Sequence, residues 1–283
     1  MSKTKSLGYI VFDSRPVQWV TRLLVAVLSH LLPSPHLKLT YLEITVPGLS
    51  ADLSGLKVLH ISDLHFGAGS ELASELPELV ANVPHDLALY TGDFIENGDS
   101  IKGLERILER MPRVTAAYAV LGNHDHTAFG DECDVDMVRP LCAVLHAMGI
   151  DVLTNSARPV FNETLFVVGV DDPSSERDNL DEAMRIVPPG ACYLLLAHSP
   201  DVILNLGPYR PGLILSGHTH GGQVRLPLFG PVFNLSKLPR DQLMGIHNHD
   251  GVLFFVTRGI GYSSFNLRLW CPPEVVLITL RSA

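Results

Sequence analysis

The run Val58–His65, with the sequence VLHISDLH, sets a short apolar stretch of β type directly before a polar pair, Asp63 and His65. Apolar runs of this length and composition are typical of buried strands. The two polar residues lie two positions apart on an extended segment, so their side chains project to the same side and can bind one cation. The run therefore predicts a strand that ends in a metal-binding pair.

The same arrangement, an apolar run followed by a polar cluster, recurs along the chain. Helical patterns separate the early copies, which predicts alternating strands and helices around a largely parallel sheet. In open α/β sheets the loops beyond the carboxyl ends of the strands form the binding crevice, so the polar clusters are expected to share one edge. The further copies are 87–93, 117–125, 165–172, 193–198 and 213–220, and the helical patterns are Leu72–Val83, Ile101–Met111 and Val135–Met148.

The flanks of this region predict strands of a different kind. Leu37–Val46 precedes a Pro-Gly turn and is predicted to be a hairpin strand. Beyond Gly221 the chain is rich in glycine and proline turns, with strand patterns at Val252–Thr257 and Val275–Leu280 and little helix. This part predicts a second, more antiparallel sheet.

A set of oxygen and imidazole donors occupies the polar clusters. His218 and His220 alternate in the same way as the first pair. Such donors, with no thiolate among them, suit Mn²⁺, Fe²⁺ or Zn²⁺. They exceed the needs of one ion, which predicts two metals about 3.5–4 Å apart, an arrangement that activates water and clamps a phosphoryl group. Asp93 is the candidate bridging carboxylate, and the whole donor set is Asp63, His65, Asp93, Asn123, His198, His218 and His220.

These clusters resemble, in order, the five sequence blocks of calcineurin-like metallophosphoesterases. Each block is a weak signal alone, but five in order, each after a strand-like run, rarely arise by chance. The resemblance covers Leu56 to the carboxyl terminus and implies a four-layer α/β/β/α sandwich with mixed sheets. The blocks are Asp63-x-His65, Gly92-Asp93, Gly122-Asn123-His124-Asp125, His198 and Gly217-His218-Thr219-His220.

The resemblance also implies a role for each residue. His124 would contact the scissile phosphate, stabilising its charge or protonating the leaving oxygen. Glu96 lies three residues after Asp93, where many family members carry an aspartate that orients this histidine. The implied metal ligands are Asp63, His65, Asp93 and His220 for one ion, and Asp93, Asn123, His198 and His218 for the other.

Two further residues are candidate substrate contacts from their chemistry and position. Asp172 follows a strand at the edge of the predicted site, and Arg258 follows a late apolar run. The guanidinium fork of an arginine matches a phosphate group. A structural ion pair or a solvated surface position is the alternative for each.

The amino-terminal segment, residues 1–36, differs in composition from the predicted metallophosphoesterase domain at 37–283. Before Leu23 it carries four lysines and arginines against one aspartate, and the apolar stretch Leu23–Leu32 is too short to span a bilayer. The pattern predicts an amphipathic helix. A helix that lies on a membrane surface and a helix that packs on the protein's own core fit the pattern equally well.

The composition of the chain excludes several classes of protein. With 46% hydrophobic and 18% charged residues, the 283-residue chain can bury a large core, which excludes disorder. A formal net charge of −9 does not favour non-specific binding to the phosphate backbone of nucleic acid. The four cysteines contain no CxxC pair, so neither a zinc ribbon nor a disulfide framework is predicted.

The predicted function is that of a metal-dependent phosphoesterase, with Mn²⁺ as the expected ion and Fe²⁺ or Zn²⁺ as alternatives. Thr257–Gly261 and Cys271–Glu274 resemble a bacterial branch of membrane-linked phosphodiesterases, one type of which hydrolyses UDP-2,3-diacylglucosamine in lipid A synthesis. The better-known enzyme for that step has an arginine in place of His124, so the resemblance is to the alternative type. It implies a lipid-linked nucleotide substrate and a peripheral position on the cytoplasmic face of the inner membrane. A soluble cytoplasmic phosphodiesterase of cyclic nucleotides or other small diesters and a non-catalytic metal-binding module remain alternatives.

Overall fold

The computed structural model describes residues 35–67, 72–96, 100–126, 135–263 and 266–283. The predicted amino-terminal helix lies outside these ranges. Within them the chain forms two six-stranded sheets and a separate two-stranded ribbon. No helix in the described ranges has both the length and the hydrophobicity needed to cross a bilayer.

The helices and strands alternate in the first half of the chain, as predicted, and helices α1, α2 and α4 confirm the three helical patterns. The helices are α1 (Leu72–Val80), α2 (Ile101–Leu108), α3 (Asn123–His126), α4 (Val135–Ala147) and α5 (Leu180–Ala183). The strands are β1 (Lys38–Val46), β2 (Lys57–Ile61), β3 (Leu87–Thr91), β4 (Ala117–Val120), β5 (Asp151–Val152), β6 (Ser156–Val160), β7 (Leu165–Gly169), β8 (Tyr193–Leu196), β9 (Leu213–Ser216), β10 (Arg225–Leu226), β11 (Gly230–Pro231), β12 (Gly245–His249), β13 (Val252–Val256) and β14 (Glu274–Ser282).

The first sheet has the strand order β1-β14-β2-β3-β4-β5. Strands β2 to β5 are parallel, as the alternating pattern predicts. The predicted hairpin at Leu37–Val46 is wrong, because β1 pairs in parallel with β14 from the other end of the chain. The placement of Val275–Leu280 in the second sheet is wrong for the same reason, since β14 lies between β1 and β2 in the first. Neither pairing leaves a local signal in the sequence.

The second sheet has the order β12-β13-β9-β8-β7-β6. Its inner strands β13, β9, β8 and β7 are parallel, and only the edge strands β12 and β6 pair antiparallel. The second sheet contains two antiparallel strand pairs, and the first sheet contains one. The second sheet is therefore the more antiparallel of the two, as the late change of pattern predicts. Both of its antiparallel pairs lie at its edges.

Strand β3 shows why the chain forms four layers. All its residues are buried, which is typical of a strand covered on both faces. Leu87 and Leu89 pack in the core between the two sheets, whereas Ala88 and Tyr90 pack in the core beneath α1, α2 and α4. A third core lies on the outer face of the second sheet, under α5 and the short helix Pro200–Asn205. The predicted α/β/β/α sandwich is confirmed.

Replacement of Ile278 in β14 tests how far the late strand holds the two sheets together. This side chain is fully buried between the sheets. Ile278→Ala should lower the free energy of unfolding by about 2–5 kcal/mol, because it leaves a cavity in that core. Urea unfolding measures the change, with the partly buried neighbour Thr279→Ala as the matched control. A loss below about 1 kcal/mol, with an unchanged m-value, would contradict this role.

Candidate metal centre

Loops from both sheets build a single site beyond the carboxyl ends of their parallel strands. The backbone N–H of His218, after β9, donates to Asp63 Oδ1, after β2, at 2.9 Å. The ring nitrogen Nδ1 of His198, after β8, donates to the carbonyl oxygen of Thr91, at the end of β3, at 2.6 Å. Because each bond crosses from the second sheet to the first, the polar clusters meet as predicted.

Asp93 lies buried at the middle of this site. Its Oδ2 is 3.3 Å from His65 Nε2 and 3.1 Å from His198 Nε2. Its Oδ1 accepts the backbone N–H of His124 at 2.9 Å. Burial acts to raise the pKa of Asp93, but the imidazoles of His198 and His124 outweigh it and hold the pKa well below its usual range. An ionised carboxylate thus lies between two histidines, the geometry expected of a bridging ligand.

Two clusters of ligand atoms flank Asp93. In the first, His65 Nε2 and His220 Nε2 lie 3.1 Å apart, and Asp63 Oδ1 lies 3.5 Å from His220 Nε2. In the second, His218 Nδ1 lies 3.2 Å from His198 Nε2. Ligand atoms lie within 4.8 Å of one another in the group Asp63, His65 and His220 and in the group Asp93, His198 and His218.

The outer ring nitrogens of three histidines are held by oxygen acceptors. His65 Nδ1 donates to Glu96 Oε2 at 2.7 Å, and His198 Nδ1 donates to the Thr91 carbonyl. His218 Nε2 donates to the Leu235 carbonyl at 3.2 Å. With the outer nitrogen donating, the inner nitrogen is the one that can present a lone pair to a cation. These contacts therefore orient all three rings toward the centre.

His220 has a different neighbour behind its ring. Arg268 Nη2 lies 3.0 Å from His220 Nδ1, so a guanidinium and not an acceptor oxygen faces the outer nitrogen. Arg268 is buried and is fixed by the Gly261 carbonyl at 3.0 Å from Nε and 2.6 Å from Nη2. The sequence did not single out this arginine, because a buried cation has no signature in a loop pattern.

Five of the predicted ligands have left-handed backbones, so the extended backbone predicted for Asp63–His65 and for His218–His220 is wrong. The φ angles are 53° at Asp63, 42° at His65, 53° at Asp93, 67° at His218 and 50° at His220. Non-glycine residues rarely adopt positive φ, and when they do they cluster at functional sites. The backbone strain gathered at this edge of the sheets is independent support for a binding centre.

The donor chemistry of the site fits divalent cations. All the donors are carboxylate, amide and imidazole groups, the set that borderline and hard ions prefer. Asp63 Oδ2 is buried with no hydrogen-bond partner among the described residues, as expected of a group that interacts with a cation. Asn123 is the first residue of α3 and precedes His124, whose backbone N–H donates to Asp93. Asn123 therefore lies beside the second cluster.

His124 and Glu96 form a pair at the mouth of the site. His124 Nδ1 lies 3.2 Å from Glu96 Oε2, the same oxygen that accepts from His65. Burial acts to lower the pKa of His124, but the carboxylates of Asp93 and Glu96 outweigh it and raise the pKa to about 9. Burial acts to raise the pKa of Glu96, but hydrogen bonds to His124 and His65 lower it to about 2. The pair is a protonated imidazole held by a carboxylate.

Asp125 has a structural role that the sequence analysis missed. Its buried carboxylate accepts the backbone N–H groups of Gly122 at 2.9 Å, Phe94 at 2.8 Å and Ile95 at 3.3 Å. Burial and the nearby Asp93 raise the pKa of Asp125 to about 6. It ties the loop after β3 to the loop after β4. Its place at the end of the Gly122-Asn123-His124 block was the available signal.

Arg258 and Asp172 both have partners within the protein. Arg258 Nη2 pairs with the Glu274 carboxylate at the start of β14. The Asp172 carboxylate caps the short helix Pro173–Ser175, accepting the backbone N–H groups of Ser174 at 3.1 Å and Ser175 at 2.9 Å. Substrate binding by either residue stays a prediction.

A family match defines the class of protein: a metal-dependent phosphoester hydrolase. The chain belongs to the calcineurin-like phosphoesterase family, whose model matches residues 56–222. The family resemblance inferred from the five blocks is confirmed, and membership favours the enzyme over a non-catalytic metal-binding module.

Bacterial relatives extend over most of the chain. An uncharacterized metallophosphoesterase, YkoQ of Bacillus subtilis, is 32% identical over 78% of this chain and 82% of its own. The UDP-2,3-diacylglucosamine pyrophosphatase LpxG of Chlamydia muridarum is 26% identical over 88% and 91%. The phosphodiesterase YaeI of Escherichia coli is 29% identical over 79% and 82%.

Substitution of Gly259 should weaken metal binding. A Cβ at Gly259 would lie 2.6 Å from Asp63 Cβ and 2.7 Å from Asp63 Oδ2, so Gly259→Ala must displace that carboxylate. Metal content after dialysis should fall severalfold. Gly251→Ala is the matched control, because Gly251 also has positive φ but has nothing within 4 Å of the added atom. Equal metal content in the two variants would exclude Asp63 as a ligand.

Metal uptake should release a proton from His198. Burial acts to lower the pKa of this histidine, but Asp93 outweighs it and raises the pKa to about 10, so the metal-free ring is protonated at neutral pH. A cation must displace that proton, so affinity should rise about tenfold per pH unit between about pH 6 and 8. Calorimetry of Mn²⁺ binding in buffers of different ionisation enthalpy counts the released protons. A pH-independent affinity would contradict the assignment.

Proposed function

We propose that the protein hydrolyses a phosphodiester or pyrophosphate bond with two divalent cations, and that Asp93 bridges them. The proposal rests on the position of the Asp93 carboxylate. Its Oδ2 lies within 3.3 Å of Nε2 of His65 in the first cluster and of Nε2 of His198 in the second. The ligands are those of the family resemblance: Asp63, His65, Asp93 and His220 for one ion, and Asp93, Asn123, His198 and His218 for the other.

Mn²⁺ is the proposed ion, with Fe²⁺ or Zn²⁺ as alternatives. The absence of thiolate ligands and the mixture of carboxylate with imidazole support this choice. When bound, the two ions would activate water and neutralise charge on a phosphoryl group. The protein's part is to hold the donors in place, which the oxygen acceptors behind His65, His198 and His218 accomplish.

His124 is proposed to act on the substrate directly. Its side chain is 19% exposed at the mouth of the site, and the carboxylates of Asp93 and Glu96 act to raise its pKa. An imidazolium in this position can stabilise negative charge on the phosphoryl oxygens or donate its Nε2 proton to the leaving oxygen. Glu96 is a positioning residue, because its carboxylate holds Nδ1 of His124 and Nδ1 of His65.

The proposed substrate is a lipid-linked nucleotide such as UDP-2,3-diacylglucosamine, cut at the cytoplasmic face of the inner membrane. Two kinds of observation support it: relatives named UDP-2,3-diacylglucosamine pyrophosphatase align over 88% of the chain, and residues 1–36 are basic and apolar. The relative named phosphodiesterase supports a second candidate, a soluble diester such as a cyclic nucleotide.

Release of UMP from detergent-dispersed UDP-2,3-diacylglucosamine by the Mn²⁺-loaded protein tests the proposal. His124→Ala should lower kcat by about 10²–10⁴, because it removes the proposed acid. Asp93→Asn should abolish turnover, because an amide cannot bridge two cations as a carboxylate does. His85→Ala and Asp250→Asn are matched controls that change a histidine and an aspartate outside the site.

The outcomes separate the chemistry from the substrate. A nitrophenyl phosphodiester run in parallel reports on the metal chemistry alone. Cleavage of this diester without UMP release would overturn the lipid substrate and favour the soluble diester. An unchanged rate for Asp93→Asn would overturn the bridging assignment.

A further inference from the structure

The two-stranded ribbon β10–β11 carries apolar side chains that nothing in the described part of the chain covers. At its tip Leu228 is 104% exposed and Phe229 is 81% exposed, and Leu226 at the end of β10 is 41% exposed. Burying one such side chain is worth about 1.5–3 kcal/mol, so leaving two in water is costly. Large apolar side chains gathered on a protruding tip indicate a binding surface.

The ribbon lies beside the metal centre. It begins a few residues after His220, and Arg225 Nη1 at its base donates to the Gly221 carbonyl at 2.8 Å. The segment that follows it returns to the site, where the Leu235 carbonyl accepts from His218 Nε2 at 3.2 Å. The base of the ribbon and the segment that follows it are therefore both fixed beside the centre.

An exposed tryptophan lies beside the base of the ribbon. The backbone N–H of Arg225 donates to the Leu269 carbonyl at 2.9 Å, and Val224 forms a parallel bridge with Leu269. The next residue, Trp270, is 62% exposed. Tryptophan is the side chain that most favours the boundary between water and hydrocarbon.

The charge of the ribbon segment differs from that of the whole protein. Residues 224–240 contain Arg225, Lys237 and Arg240 and no acidic residue, in a chain of net charge −9. A basic segment with apolar and aromatic side chains is the composition that binds an anionic lipid surface.

Other occupants fit the tip less well. A stable protein interface buries about 800 Å² on each partner, and two protruding side chains offer roughly half of that. The chain's own residues 1–36 are also basic, so charge does not favour their docking on the ribbon segment. Both segments carry the charge that an anionic surface attracts.

We propose that the tip of the β10–β11 ribbon, with Trp270 at its base, inserts into the interface of an anionic lipid bilayer and seats the mouth of the metal centre against it. This inference deepens the proposed function, on which it rests for the lipid-linked substrate. It assigns the membrane contact to a surface of the catalytic domain, whatever residues 1–36 contact.

Fluorescence of the full-length chain tests this contact directly. The sequence has two tryptophans, Trp19 and Trp270, so Trp19→Phe leaves Trp270 as the sole reporter. With vesicles of phosphatidylcholine and phosphatidylglycerol, Trp270 emission should shift to shorter wavelength and be quenched by brominated acyl chains. Adding Leu228→Ser and Phe229→Ser should abolish the quenching and weaken vesicle binding about tenfold.

Matched controls carry serine at exposed apolar positions away from the ribbon. Tyr41 and Ile186 are 71% and 55% exposed, and Tyr41→Ser with Ile186→Ser should leave the quenching of Trp270 unchanged. Loss of quenching with residual vesicle binding would support the proposal, because the amino-terminal segment is still present. Quenching that persists without Leu228 and Phe229, or that never occurs, would overturn it. A concentration-dependent dimer that needs these two side chains would overturn it as well.

Hydrolysis of a soluble nitrophenyl phosphodiester keeps this test separate from that of the proposed function. The Leu228→Ser/Phe229→Ser variant should cleave the diester at the parent rate, since neither side chain belongs to the metal centre. Failure of every variant to cleave any phosphoester would overturn the proposed function and leave the vesicle result standing.

Discussion

The position of one carboxylate determines much of this structure. Asp93 Oδ2 lies against histidines supplied by both sheets, and Asp93 Oδ1 accepts the backbone N–H of His124. A buried carboxylate is stable only where donors surround it, and here the donors come from loops after three different strands. The two sheets must therefore end at one level and face each other closely, which the shared apolar core between them enforces.

The backbone of the site is strained, and the surrounding sandwich holds it in the strained conformation. Positive φ at a non-glycine residue costs about 1–3 kcal/mol and persists only where the surroundings impose it. The loops that carry Asp63 and Asp93 hold each other in these conformations. The backbone N–H of Asp63 donates to the Gly92 carbonyl, and that of His65 donates to the Asp93 carbonyl. The Asp125 carboxylate then ties the loop after β3 to the loop after β4 with three backbone hydrogen bonds. A rigid donor set of this kind would reduce the reorganisation that metal binding requires.

Local sequence was informative where function and strand ends coincide. The runs before Asp63, Asp93 and His198 predict strands because periodicity is a local signal, and parallel strands bring their ends to one edge. Pairing between distant segments has no such signal. For this reason the predicted partner of β1 and the predicted sheet of β14 were wrong. The buried Arg268 behind His220 and the Glu274 partner of Arg258 were also out of reach, because both contacts join segments that pattern analysis treats separately.

Strand β14 has a consequence for how the chain is made. It lies between β1 and β2, so the first sheet has a gap until residues 274–282 have been synthesised. At ~5–20 residues per second, β1 and β2 wait on the order of ten seconds or more for the strand that joins them. During that time their edges are open to wrong partners. The late insertion of β14 is therefore a step at which the growing chain can misassemble.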